Sequence, residues 1–88
     1  MEIRRLDHVG IRVMEFGRAI SFYEKLGFTV TRQDSKEHVV VLKHTCGIEI
    51  NLLDSGDDEN ERRNVLMDVD MKYPGYTHYA IQVDSANE

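Results

Sequence analysis

Between residues 6 and 53 the spacing of apolar side chains passes from two to between three and four, then returns to two. A period of two buries one face of a strand, and a period near 3.6 buries a stripe along a helix. The changes of period therefore order the elements. Residues 3 to 13 set Val9, Ile11 and Val13 on one side and Leu6, His8, Gly10 and Arg12 on the other, which predicts a half-buried strand. In EFGRAISFYEKLGF, Phe16, Ile20, Tyr23 and Leu26 recur at helical steps. Gly27 stands where a left-handed C-terminal cap belongs, and Phe28 is placed to fold back on the last turn. Residues 29 to 33 predict a second strand, DSKE a polar turn, and HVVVLKH a β-branched third strand. Thr45, Cys46 and Gly47 turn the chain into a fourth strand, IEINLL. The class is α+β, and residues 1 to 53 form one complete β-α-β-β-β module.

Residues 54 to 75 have another character. DSGDDENE carries five acids in eight residues and reads as a solvated linker that cannot bury enough apolar surface to fold by itself. RRNVLMDVDMKYPG follows as a connection, with Val65, Leu66, Met67, Val69 and Met71 available to dock, and Pro74-Gly75 closes it. In residues 76 to 84, Tyr79, Ile81 and Val83 alternate with His78, Gln82 and Asp84, which predicts a fifth strand. Ser85-Ala-Asn-Glu88 then has the spacing of a helix capping box. Residues 76 to 88 thus repeat the pattern of residues 6 to 16. They are expected to be the first strand and helix start of a second module cut short.

A chain of 88 residues is one small domain with a limited core, so a partner subunit or a metal is an expected source of stability. Net charge of -5 argues against general nucleic-acid affinity. Cys46, the single cysteine, permits no intrachain disulfide and suits a reducing compartment, so the cytoplasm is expected. No apolar run approaches the roughly 20 residues that span a bilayer, and MEIRR is no signal peptide. No phosphate-binding glycine loop, nucleophile elbow or basic patch is present.

Three strands each set a polar side chain among apolar neighbours. His8 faces away from Val9, Ile11 and Val13; Glu49 faces away from Ile48, Ile50 and Leu52; His78 faces away from Tyr79, Ile81 and Val83. Singly, such a histidine is ordinarily solvated or bonded to a carbonyl, and such a glutamate is the outward half of an alternation. If the helix covers the apolar face, all three converge on the opposite face. Two imidazoles and a carboxylate there suit a divalent metal with room for exchangeable ligands. His38 and His44 flank the third strand and are expected to be exposed, and Cys46 is expected to be structural.

LDHVGIRV, FGRAISFYEKLGF, GIEINLL and YPGYTHYAIQVDS, in this order and spacing, resemble the vicinal-oxygen-chelate superfamily. That group includes glyoxalase I, fosfomycin- and bleomycin-resistance proteins, methylmalonyl-CoA epimerase and extradiol dioxygenases. The resemblance implies the glyoxalase/bleomycin-resistance/dioxygenase fold, in which two modules related by a pseudo-twofold form a cup around a metal. His8, Glu49 and His78 match its ligands from the first, fourth and fifth strands. A fourth ligand, a Glu on an eighth strand, has no counterpart within residues 1 to 88. The carboxylate in strand four makes glyoxalase I the nearest pattern, and Arg12 matches a position there that contacts a glutathione carboxylate. Asn51 and Leu53 differ from the glutathione-binding segment. What the resemblance implies is a glyoxalase-like lyase or isomerase using Ni, Zn, Co, Mn or Fe. Its substrate would be a small molecule with adjacent oxygens, and Glu49 would move the proton. A homodimer is expected, with neither nucleic acid nor membrane as partner. The rival expectations are a metal-free drug-binding protein of the bleomycin-resistance kind and an inactive truncated member.

Overall fold

The structure, a computed structural model, describes residues 1 to 54 and 68 to 84. The chain divides into two units, Met1–Asp58 and Glu59–Glu88. The first holds five elements: β1 (Val9–Arg12), α1 (Phe16–Lys25), β2 (Thr29–Asp34), β3 (Val39–Lys43) and β4 (Glu49–Leu53). This is the β-α-β-β-β order expected from the spacing. The strands lie in one sheet in the order β1-β4-β3-β2, with β1 parallel to β4 and the other neighbours antiparallel.

One face of that sheet carries the core. Val40, Leu42, Ile50 and Leu52 are almost wholly buried there, beneath Tyr23 of α1 and Phe28 just beyond it. Phe16, Ala19 and Ile20 complete the helix stripe. Leu26, expected to share it, is the exposed C-cap residue, and Ala19 packs on the core instead. Glu15 caps the first turn, its carboxylate accepting from the amides of Gly17 at 2.9 Å and Arg18 at 3.0 Å. The last turn closes as a Schellman motif. The Phe28 amide donates to the Tyr23 carbonyl at 3.1 Å and the Gly27 amide to that of Glu24 at 3.0 Å. Gly27 adopts φ 98°, the left-handed region its place demanded, and the Phe28 ring packs edge-on against Tyr23.

Strand ends differ from expectation. β1 begins at Val9, although alternation begins at residue 3, because its one neighbour is the short β4 and pairing starts at Val9 opposite Ile50. His44 is half-buried, its ring edge-on to Phe28 and its Nδ1 accepting from the Cys46 amide at 3.0 Å. His38 is exposed, as expected, with a left-handed φ of 57°.

In the second unit, the described residues 68 to 84 contain bends and a turn but no strand. The fifth strand expected over residues 76 to 84 is not formed among them. Tyr79, Ile81 and Val83 are exposed, as are the residues between them. Alternation sets the faces a strand would have, whereas a ladder also requires a neighbouring backbone to pair with. The acidic linker beyond Asp54 and the helix start at Ser85-Ala-Asn-Glu88 lie outside the described residues.

Candidate functional site

The sheet face opposite α1 is ordered in rows by strand pairing. Gly10 pairs with Asn51, Asn51 with Val41, and Val41 with Arg32. Paired residues point to the same side, so these four form one row. Arg12, Leu53, Val39 and Asp34 form the next. Glu49 is opposite Lys43, and one step back along the β1–β4 register His8 falls beside Glu49. His8, Glu49 and Lys43 therefore cross the sheet at one end of this face. Asp7, just ahead of β1, joins them. One ligand atom each from Asp7, His8 and Glu49 lies within 4.8 Å of the others.

These three sit in a concavity of about 430 Å³ that is also lined by Thr31, Arg32, Val41, Lys43 and Asn51. Val41, a buried residue outside the main core, makes its floor. Gly10 adds no side chain, and a Cβ built there would meet nothing within 4 Å. An irregularity in β2 between Val30 and Arg32 makes Thr31 an extra residue, so Thr31 and Arg32 both reach the concavity. Two carboxylates and two cations line it, so its charge balances before any ligand enters.

Each ionic group has a partner. Lys43 Nζ lies 3.5 Å from Glu49 Oε1. The Asp7 carboxylate contacts His8 Nδ1 at 2.7 Å and the Arg5 guanidinium at 3.6 Å. The hydrogen bond with His8, with smaller help from the charges of His8, Arg5 and Lys43, holds the Asp7 carboxyl below its ordinary pKa. Asn51 Oδ1 is buried and has no hydrogen-bond partner among the described residues.

The donor set fits a divalent ion. Ligands about 2.1 Å from one ion lie roughly 3 to 4 Å apart, a spacing that the donor atoms here, within 4.8 Å of one another, approach. One imidazole with carboxylate oxygens suits borderline divalent metals of the first transition row. Of the residues singled out by sequence, the structure brings together His8 and Glu49. Arg12 points to the same face but is not among the residues lining the concavity, and its Nη1 donates to the Asp54 carbonyl at 3.3 Å. His78 belongs to the second unit, where it is exposed with Nδ1 3.0 Å from Thr77 Oγ1. Sequence reasoning missed Asp7 and Lys43. The signal for Lys43 was available, because a hairpin folded about Cys46 sets residue 43 across from residue 49.

The β-α-β-β-β module thus gathers imidazole and carboxylate donors on the sheet face away from its helix. The chain belongs to the Glyoxalase/Bleomycin resistance protein/Dioxygenase superfamily, whose profile matches residues 5–88. Neither the curated proteins nor the solved structures compared with it gave a significant match. Among the described residues no helix is long and apolar enough to cross a membrane.

Proposed function

We propose that this protein is a glyoxalase-like, metal-dependent lyase or isomerase acting on a small molecule with two adjacent oxygens. The observation that carries the reading is the placement of His8 beside Glu49, over an open concavity, in a chain of this superfamily. A divalent ion, Ni, Zn, Co, Mn or Fe, supplies Lewis acidity that makes a C–H next to a carbonyl easier to deprotonate. His8 and Glu49 would hold it. Glu49 takes the proton from one carbon of the substrate and returns it to the neighbouring carbon. Lys43, across the strand, pairs with that carboxylate at 3.5 Å and would give way to the ion. Arg12 takes a substrate carboxylate at the far end of the same face.

The test is elemental analysis of protein purified without chelator, followed by metal titration of His8→Ala and Glu49→Ala. Either change is expected to lower affinity by orders of magnitude. Loaded protein should exchange a substrate C–H for solvent deuterium with an α-keto aldehyde adduct. Wild-type protein that carries no metal and takes none up would leave the metal-free rival. That rival draws on the Lys43–Glu49 pair, because a carboxylate already neutralised by a cation needs no metal.

A further inference from the structure

The structure departs from a bare ligand set at Asp7, which no spacing argument selected. Its Oδ2 lies 2.7 Å from His8 Nδ1. An ionised carboxylate only accepts hydrogen bonds, so the nitrogen at that distance must carry the proton. A neutral imidazole has one N–H, and placing it on Nδ1 leaves the lone pair on Nε2. From this contact we infer that Asp7 is a positioning residue: it fixes the tautomer and ring direction of His8 so that Nε2 is presented to the cation. The inference rests on the metal reading above. The role assigned to Asp7 is positioning rather than ligation, since Oδ2 is engaged by His8 Nδ1 at 2.7 Å and Oδ1 faces the Arg5 guanidinium at 3.6 Å. Position along the chain makes the arrangement possible. Neighbours in a strand point to opposite faces, but Asp7 precedes β1 and escapes that alternation.

His78 offers an independent parallel. There too the side chain of the preceding residue, Thr77, meets Nδ1, at 3.0 Å. Both histidines matched to ligand positions therefore have Nδ1 engaged by the residue before them. The two differ in strictness. A hydroxyl both donates and accepts, so Thr77 permits either tautomer of His78, whereas Asp7 permits one of His8.

The contact is tested by long-range ¹⁵N–¹H correlation of the imidazoles in metal-free protein, with the rings in their neutral form. The proton is expected on Nδ1 in wild type. It is expected to stay there in Asp7→Asn, which keeps an acceptor oxygen, and to move toward Nε2 in Asp7→Ala. Titration with Co²⁺ tests the role toward the cation. Asp7→Ala should bind about 10- to 100-fold more weakly, Asp7→Asn should lose less, and His8→Ala should lose binding altogether. Asp7 is 71% exposed, so both variants should retain the wild-type circular dichroism spectrum. A wild-type proton on Nε2, or undiminished Co²⁺ binding by Asp7→Ala, overturns the inference. So does a loss in Asp7→Ala equal to that in His8→Ala, which would make Asp7 a ligand. Wild-type protein that binds no Co²⁺ overturns the metal reading itself, and the proton position still decides the contact alone.

Discussion

At Glu49 two cations compete for one carboxylate. Lys43 Nζ lies 3.5 Å from Oε1, and a bound ion would need the same group. Lys43 is exposed and can swing away, so the cost is that of an exposed ion pair, about 0.2 to 1 kcal/mol. Lys43→Gln frees the carboxylate and removes a positive charge from the ion's approach. It is expected to tighten Co²⁺ binding by up to about fivefold, read by calorimetric titration. Unchanged or weaker binding would place the ion away from Glu49. The same residues show how much of the site was legible. His8 and Glu49 could be read because period two separates the faces of a strand, and a hairpin symmetric about Cys46 extends that logic to Lys43. What could not be read was that β1 lies beside β4 in the register that sets His8 against Glu49. No short loop joins those strands, so nothing local fixes their pairing. Asp7 stayed hidden because alternation over residues 3 to 13 puts it on the side of Val9, whereas the strand begins only at Val9 and leaves Asp7 free of that face.

The helix and its joins were legible to the residue where a cap has its own chemistry. Gly27 and Phe28 fall where the Schellman motif requires, and a side chain at Gly27 meets two obstacles. Its φ of 98° is strained for an L-residue, and a Cβ would come within 2.9 Å of His44 Nε2. Gly27→Ala is expected to lower stability by about 1 to 2 kcal/mol or more, measured by urea denaturation. A loss below a few tenths would mean that the turn relaxes freely. The β2–β3 turn gives a pH-dependent counterpart. Asp34 Oδ1 accepts from the amides of Lys36 at 3.1 Å and Glu37 at 3.0 Å. The Glu37 amide first, with the Arg32 guanidinium and Lys36 amide adding, holds the carboxyl below its ordinary 3.8. A depressed folded-state pKa gives stability that is complete above the unfolded value and is lost as pH falls through the folded value. Asp34→Asn keeps an acceptor oxygen but cannot titrate. Its deficit against wild type should therefore shrink as pH is lowered from about 5 to about 3. A constant deficit would show that the charge contributes nothing. Strand ends were less legible than caps, because they depend on where a neighbour stops. β1 alternates from residue 3 but pairs only from Val9.

For the whole molecule, the concavity lies on an open sheet face and β1 is an edge strand with β4 as its single neighbour. Edges and open faces of this kind favour association. In this superfamily two modules share a cup by pseudo-twofold symmetry, and a true twofold between two copies of this chain would imitate that arrangement. Each copy would bring His8 and Glu49, already side by side, to one site with two imidazoles and two carboxylates. His78 would then be unnecessary to the ion, and residues 76 to 84, which form no ladder among the described residues, would be left to pair elsewhere. The expected outcome is a dimer by analytical ultracentrifugation with about one metal per two chains by elemental analysis. His8→Ala should abolish metal binding, and His78→Ala should scarcely change it. The two variants together separate this arrangement from a site completed within one chain. There, the protein would be a monomer with one ion each, and His78→Ala alone would be enough to lose it.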